Sequence, residues 1–188
     1  IVDHGLRGDS DLEAERVKTR LEYRGIHCRI LRIDAPKPTT AIQEWARGHR
    51  YRLLADAARA TGGAVVLFGH HAGDLAETVA MRLERGSGLF GLAGIPARRQ
   101  HGDVVFARPL LPWSAAVLRQ VCAAFDCQFE LDPSNDSLAF ERVRVRQLLV
   151  RLDQKTVGND VGSANLVRLA RAAGCLTTRL DRAVEPPI

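Results

Sequence analysis

AVVLFGHHAGDLAETVAMRLERGSGLFGLAG, Ala64 to Gly94, passes from a short apolar run through a polar turn into a helical pattern. Ala64 to Phe68 has the length and continuity of a strand buried on both faces, the pattern of a parallel sheet. Asp74 and Glu77 follow as candidate caps of a helix. Leu75, Val79 and Leu83 recur on its apolar side, and Gly86 marks its end. A strand feeding a helix is the unit of an α/β sheet, and in open α/β sheets ligands bind beyond the carboxyl ends of the strands. His70, His71, Asp74 and Glu77 fall at such a place. Adjacent residues at a strand end point in opposite directions, so only one imidazole easily faces a given ligand, and the sequence does not choose between them.

The alternation continues on both sides of this stretch. Ser10 and Glu13 form a capping box for a helix over 11–24 closed by Gly25, and Cys28 to Ile33 reads as a strand. Thr40 and Gln43 form a second capping box for a helix from about Ala41 to Thr61, ended by Gly62 and Gly63. Val104 to Ala107 reads as a strand, Ser114 caps a helix carrying Val117, Leu118, Val121, Cys122 and Phe125, and a short CQFEL strand precedes the DPSND turn. Residues 153–163 read as a linker before a last helix near Ala164 to Ala183. The expected fold is α/β, Rossmann-like, with a mostly parallel sheet flanked by helices. It places a catalytic domain at 1–150 and a linker with a helical appendage at 151–188. IVDHGLRG at the start reads as a strand end running into a turn, so a missing first strand and its loop are expected.

A chain of 188 residues can bury a sizeable core, and its net charge of +5 with a pI near 9.4 makes a polyanionic partner plausible. Cys28, Cys122, Cys127 and Cys175 show no CxxC spacing, which favours buried free thiols in a reducing cytoplasm over disulfides or zinc. No apolar run reaches membrane-spanning length, and no HExxH or comparable spacing offers a metal site.

Asp3, His4 and Arg7 share the first turn, a mix apt for nucleotide chemistry or for an ordinary turn in which Asp3 takes backbone hydrogen bonds. Glu44, Arg47 and Arg50 lie along one side of a helix, and spacing alone favours a salt-bridged surface. Gly86 to Gly91 matches GxGxxG but follows a helix, so the dinucleotide fingerprint is rejected. With Arg85 at its mouth that loop can wrap an anion or simply connect. Asp132, Ser134 and Asn135 precede Arg142, Arg144 and Arg146. If helical, Arg142 and Arg146 share a face; if extended, all three do, and either concentration of charge suits phosphate or RNA.

Together VDHGLR at 2–7, ARGHRY at 46–51, the Gly69–Gly94 stretch, RPLL at 108–111, and DPSN with FERVRVR ending at Arg146 resemble the tRNA(Ile)-lysidine synthetase family. That family lies within the N-type ATP pyrophosphatases, or PP-loop enzymes, and the resemblance covers about the first 150 residues. It implies a Rossmann-like sheet, ATP and Mg²⁺ as cofactors, and tRNA(Ile) and free lysine as partners. It also implies adenylation of the wobble cytidine followed by attack of the lysine ε-amine. It places Asp3, His4 and Arg7 at the nucleotide, and His70, Asp74, Arg47 and Arg50 at the catalytic centre. Glu77 and Thr78 support them, while Arg85, Asp132, Ser134, Asn135, Arg142, Arg144 and Arg146 serve phosphate or tRNA. A homodimer is left open.

Several departures accompany the resemblance. The SGGxDS loop that precedes VDHGLR in the family is absent from these residues, which implies poor ATP binding by this chain. Gly73 stands where many relatives carry an acid, Val143 where an Asn is usual, and the C-terminal tRNA-binding portion is reduced to one helix. The rival readings are a thiolating PP-loop ligase, which the scattered cysteines oppose, and a non-catalytic nucleotide- or RNA-binding remnant.

Overall fold

The computed structural model describes residues 1–5, 10–129, 136–155 and 161–184. They divide into two compact units, Ile1–Val66 with Gln100–Phe106, and Leu67–Arg99 with Ala107–Ile188.

In the first unit β1 (Val2–Asp3), α1 (Ser10–Tyr23), β2 (Leu31–Arg32) and α2 (Ile42–Ala60) follow one another. β1 and β2 are parallel, with Val2 opposite Leu31 and Asp3 opposite Arg32. The expected strand over Cys28 to Ile33 shrinks to these residues, because β1 offers only Val2 and Asp3 to pair with. α1 buries Ala14, and α2 buries Ala46 and Ala55, small residues that let each helix sit close to its neighbours. The capping box expected at Thr40 and Gln43 is not formed. Ala41 opens α2 in the left-handed region at φ 52°, with no side-chain cap, and that bend takes Thr40 out of register with the first turn.

The division runs through β3 (Val65–Leu67), β4 (Arg98–His101) and β5 (Val104–Ala107), whose ladder order is β3-β5-β4. In the first unit Val105 N–H donates to the Ala64 carbonyl at 2.8 Å, and in the second Phe68 N–H donates to the Ala107 carbonyl at 2.8 Å. Both strands advance together, so they are parallel. β5 alternates as a half-buried strand, with Val104 and Phe106 each 1% exposed. β3 corrects an expectation: Val65 is 53% and Leu67 67% exposed, so this apolar run is not covered on both faces by the described residues.

The second unit is helical around its core. α3 (Ala72–Glu84), the short α4 (Leu89–Leu92), α6 (Glu141–Lys155) and α7 (Val161–Val184) pack together, and α5 (Ala115–Ala124) completes the unit. Leu75, Ala76 and Val79 of α3 meet Leu111, Leu149, Val167 and Ala170. Gly94 lies against this cluster at φ 69°, where a Cβ would fall 2.5 Å from Leu75 Cδ1, so both backbone and space require glycine. Ser114 caps α5 as expected, its Oγ accepting from Val117 N–H at 3.3 Å. The arginine-rich ERVRVRQLL run is helical, α6 continues to Lys155, and α7 already opens at Val161, so the expected linker is shorter. Asp153 joins the two helices by accepting from Gly162 N–H at 2.8 Å and Ser163 N–H at 3.1 Å. Cys127 to Phe129 form no strand, and the rest of the expected CQFEL strand lies outside the described residues. No disulfide joins the described cysteines, but only Cys28 is buried; Cys175 is exposed, against the expectation of four buried thiols.

Candidate active site

The mouth of α3 in the second unit is built by reciprocal capping. His71, at φ −122° and ψ −179°, is the N-cap; its Nδ1 accepts from Gly73 N–H at 3.0 Å, and Asp74 Oδ2 accepts from His71 N–H at 2.9 Å. A Cβ on Gly73 would stand 2.8 Å from His71 Cε1, so the imidazole occupies the space that this glycine leaves. An acceptor role at Nδ1 puts the ring proton of neutral His71 on Nε2, which lies 3.6 Å from Asp74 Oδ2. His70 lies with its ring 5.7 Å from that of Phe68.

Asp74 caps as expected, but Glu77 does something the local sequence does not announce. It is 3% exposed, with Oε2 accepting from Arg142 Nε and Oε1 from Arg146 Nε, each at 2.6 Å. Arg142 Nη2 also donates to Asp74 Oδ1 at 3.1 Å and to the Asp74 carbonyl at 3.2 Å. Two carboxylates three residues apart on α3 therefore meet two guanidiniums four residues apart on α6. The hydrogen bond to Glu77 holds the Arg146 guanidinium above its ordinary range, outweighing the opposing effect of its burial. The helical reading of the arginine run is the one realised. Arg144 faces elsewhere, donating to the Leu138 carbonyl at 2.8 Å and the Ala139 carbonyl at 3.2 Å. Thr78 Oγ1 donates to the Asp74 carbonyl at 2.8 Å, and Arg85 pairs with Glu141.

Sequence reasoning passed over two arginines in this unit. Arg82 donates to the Gly91 carbonyl and, at 3.0 Å, to the Gly94 carbonyl, fastening the glycine-rich connection to α3. Arg108 is 4% exposed, donates to the Pro96 carbonyl at 2.9 Å, and lies over the Phe68 ring at 5.3 Å. Its place in RPLL directly after an apolar strand was the available signal.

The first unit holds a second cluster. His4 Nε2 accepts from Arg50 Nε at 3.1 Å and faces Arg50 Nη2 at 2.9 Å. The imidazole must therefore carry its proton on Nδ1, a buried atom with no hydrogen-bond partner among the described residues. Burial, reinforced by the Arg50 charge and only partly offset by Asp3, holds the His4 pKa below 6.5. Burial pushes the Asp3 carboxyl up, but the Gly5 N–H, Ser10 and Arg32 outweigh it and hold it below 3.8. Asp3 thus takes the turn role, accepting from Gly5 N–H at 2.9 Å. The salt-bridged surface expected from Glu44, Arg47 and Arg50 is absent among the described residues. Arg47 lies 4.9 Å from the Tyr51 ring centroid while Arg50 reaches His4. Arg7, Asp132, Ser134 and Asn135 lie outside the described residues.

No group of three or more metal-ligating side chains occurs among the described residues, and Asp74 and Glu77 are already matched by arginines. This donor set does not fit Mg²⁺ held by protein alone. No described helix is long and apolar enough to cross a membrane.

The chain is 44% identical over 184 residues to a tRNA(Ile)-lysidine synthase of Rhodopseudomonas palustris, covering 98% of this chain and 51% of that protein. It is 41% identical over 188 residues to a protein of the same name from Methylobacterium nodulans, covering 98% and 54%. The chain spans about half the length of these curated relatives. Among solved structures it is similar to the U34-tRNA thiolase NcsA from Methanococcus maripaludis with its 4Fe-4S cluster. There the TM-score is 0.71 at 18% identity, covering 92% of this chain and 60% of that one, which shows a shared Rossmann-like α/β fold. The ATP_bind_3 family, a PP-loop domain, matches residues 1–152, and the chain belongs to this PP-loop family.

Proposed function

We propose that this chain is the catalytic portion of a tRNA(Ile)-lysidine synthetase, with ATP, tRNA(Ile) and lysine as substrates. The observation that carries the reading is 44% identity to a protein of that name across nearly the whole chain. In the proposed reaction the C2 oxygen of the wobble cytidine attacks the α-phosphorus of ATP and pyrophosphate leaves. The lysine ε-amine then attacks C2, and AMP departs with the oxygen. A cytosine carbonyl is a poor electrophile until its oxygen becomes part of a good leaving group, so the first step makes the second feasible.

In this account Asp74 and Glu77 are positioning residues. Their oxygens are engaged by His71, Arg142 and Arg146, which suits them to fixing the α3 mouth rather than to shuttling protons. The buried Nδ1–H of His4 suits an acceptor-rich ligand such as a nucleotide, with Asp3 shaping the turn that presents it. Arg47 and Arg50 are proposed to face the phosphates or the cytidine, and His70 to sit at the reacting centre with Thr78 in support. Arg7, Arg85, Asp132, Ser134, Asn135 and Arg144 retain the nucleotide and tRNA roles implied by the family resemblance. Mg²⁺ is proposed to enter with ATP, and no step is assigned to it.

The test is transfer of labelled lysine to tRNA(Ile) by the full-length gene product and, separately, by this chain. ATP-dependent labelling with stoichiometric pyrophosphate and AMP supports the reading. Labelling by sulfur donors in place of lysine would replace it with the thiolating alternative.

A further inference from the structure

The second unit contains a cavity of about 720 Å³ between α3, α5, α6 and α7 that shares His71, Gly73, Glu77 and Arg146 with the site above. Arg119 of α5, Arg146 of α6, and Arg168 and Arg171 of α7 line it, as do two carboxylates, Glu77 and Asp153. Both carboxylates are engaged from within. Glu77 holds Arg142 and Arg146, while Asp153 accepts from Gly162 N–H, from Ser163 N–H and, at 2.6 Å, from Ser163 Oγ. Arg119 and Arg171 have no ion pair among the described residues, and Arg168 donates only to the neutral Asn165 side chain. The lining therefore carries an uncompensated excess of positive charge.

The two helix mouths at the cavity differ. That of α3 is filled, since Ala72 N–H donates to the Trp113 carbonyl at 2.9 Å and Gly73 N–H to His71. At α5, Ser114 takes Val117 N–H, and the first intrahelical bond begins at Leu118, so the Ala115 and Ala116 N–H groups precede any helical partner. Pro112, Leu149, Val150 and Val167 supply the apolar part of the lining.

We propose that this cavity seats one nucleotide unit of an RNA strand. Its phosphate lies at the α5 mouth among Arg119, Arg168 and Arg171, and its base lies on the apolar part of the lining. This rests on the proposed function and names where that substrate's backbone is held. Guanidiniums form bidentate pairs with phosphate oxygens, and the excess of positive over negative side chains favours an anion. Arg119, Arg168 and Arg171 are exposed rim residues. A free mononucleotide would call for enclosure of most of its surface, whereas an open cationic rim suits a strand that enters and leaves.

The experiment measures the affinity of a fluorescein-labelled anticodon stem-loop of tRNA(Ile) for the protein over a KCl series. It compares wild type with the Arg119→Gln/Arg168→Gln/Arg171→Gln triple variant and with the matching triple Arg→Lys variant; circular dichroism checks the fold of each. The Gln variant is expected to bind at least about tenfold more weakly. Its log K against log salt slope should fall by about 0.7 for each arginine in phosphate contact. The Lys variant should keep the slope and recover only part of the affinity, because an ammonium lacks the planar fork. Unchanged affinity and slope in the Gln variant, with lysine transfer intact in the wild type, overturns the cavity assignment alone. AMP binding that is weakened in the Gln variant while stem-loop affinity is unchanged assigns the cavity to a free nucleotide and also overturns it. Wild-type protein that binds no stem-loop overturns both this assignment and the function on which it rests.

Discussion

The α3–α6 clamp and the His4–Arg50 contact both bring arginine to an acceptor, yet they treat charge in opposite ways. In the clamp the guanidiniums of Arg142 and Arg146 meet the nearly fully buried carboxylate of Glu77, and each charge finds its opposite at hydrogen-bonding distance. In the other cluster Arg50 donates to a neutral imidazole whose remaining N–H is buried with no acceptor among the described residues. The first arrangement is complete in itself and fixes helices. The second leaves polar capacity unmet, as expected where a ligand supplies the missing partner.

The largest effect should come from breaking the clamp. Glu77→Gln removes the carboxylate that the two guanidiniums share, while Arg142 keeps Asp74 Oδ1. Both guanidiniums are more than a third exposed and can rehydrate, so the loss should be about 2–3 kcal/mol, below the roughly 3–5 kcal/mol of a fully buried broken pair. Urea unfolding would show it as a lower midpoint at constant m-value. A change within about 0.5 kcal/mol would mean that the clamp contributes little to stability.

A smaller effect sharpens the comparison at the α3 mouth. His71→Ala removes the acceptor for Gly73 N–H and should cost about 1 kcal/mol. Gly73→Ala should cost a similar amount by displacing the ring it would touch. Because both changes undo one cap, the double variant should be scarcely worse than the worse single one. Additive losses in thermal melts would separate the glycine from the cap.

The smallest effect belongs to His4. Its folded pKa lies below 6.5, so on acidification the unfolded chain takes the proton first. Stability should be unaffected by His4 above that value and fall as pH drops from it toward the folded pKa. Thermal melts between about pH 8 and about pH 5 would follow this, with His4→Gln flattening that part of the profile. A wild-type curve that rises on acidification through the window would contradict the neutral assignment.

Much of the scaffold could be read locally. β5, α5 and the ends of α2 and α3 are set by apolar periodicity, a serine cap and terminal glycines, and they fall where those signals stand. β4 escaped notice because Arg98 to His101 has no apolar alternation and exists only as the partner of β5. Glu77 looked like a helix-opening acid because spacing along α3 carries no information about α6, which arrives 65 residues later. The capping by His71, where Asp74 and Glu77 were the candidate caps, likewise depends on a ring lying over Gly73, a short-range fit that residue types alone do not specify.

The most direct test of the account is transfer of labelled lysine to tRNA(Ile) by the full-length gene product, wild type against Asp74→Ala, with and without ATP. The account predicts labelling that requires ATP and is abolished in the variant, whose circular dichroism spectrum remains that of a folded protein. Labelling without ATP, or near-wild-type labelling by folded Asp74→Ala, would contradict it.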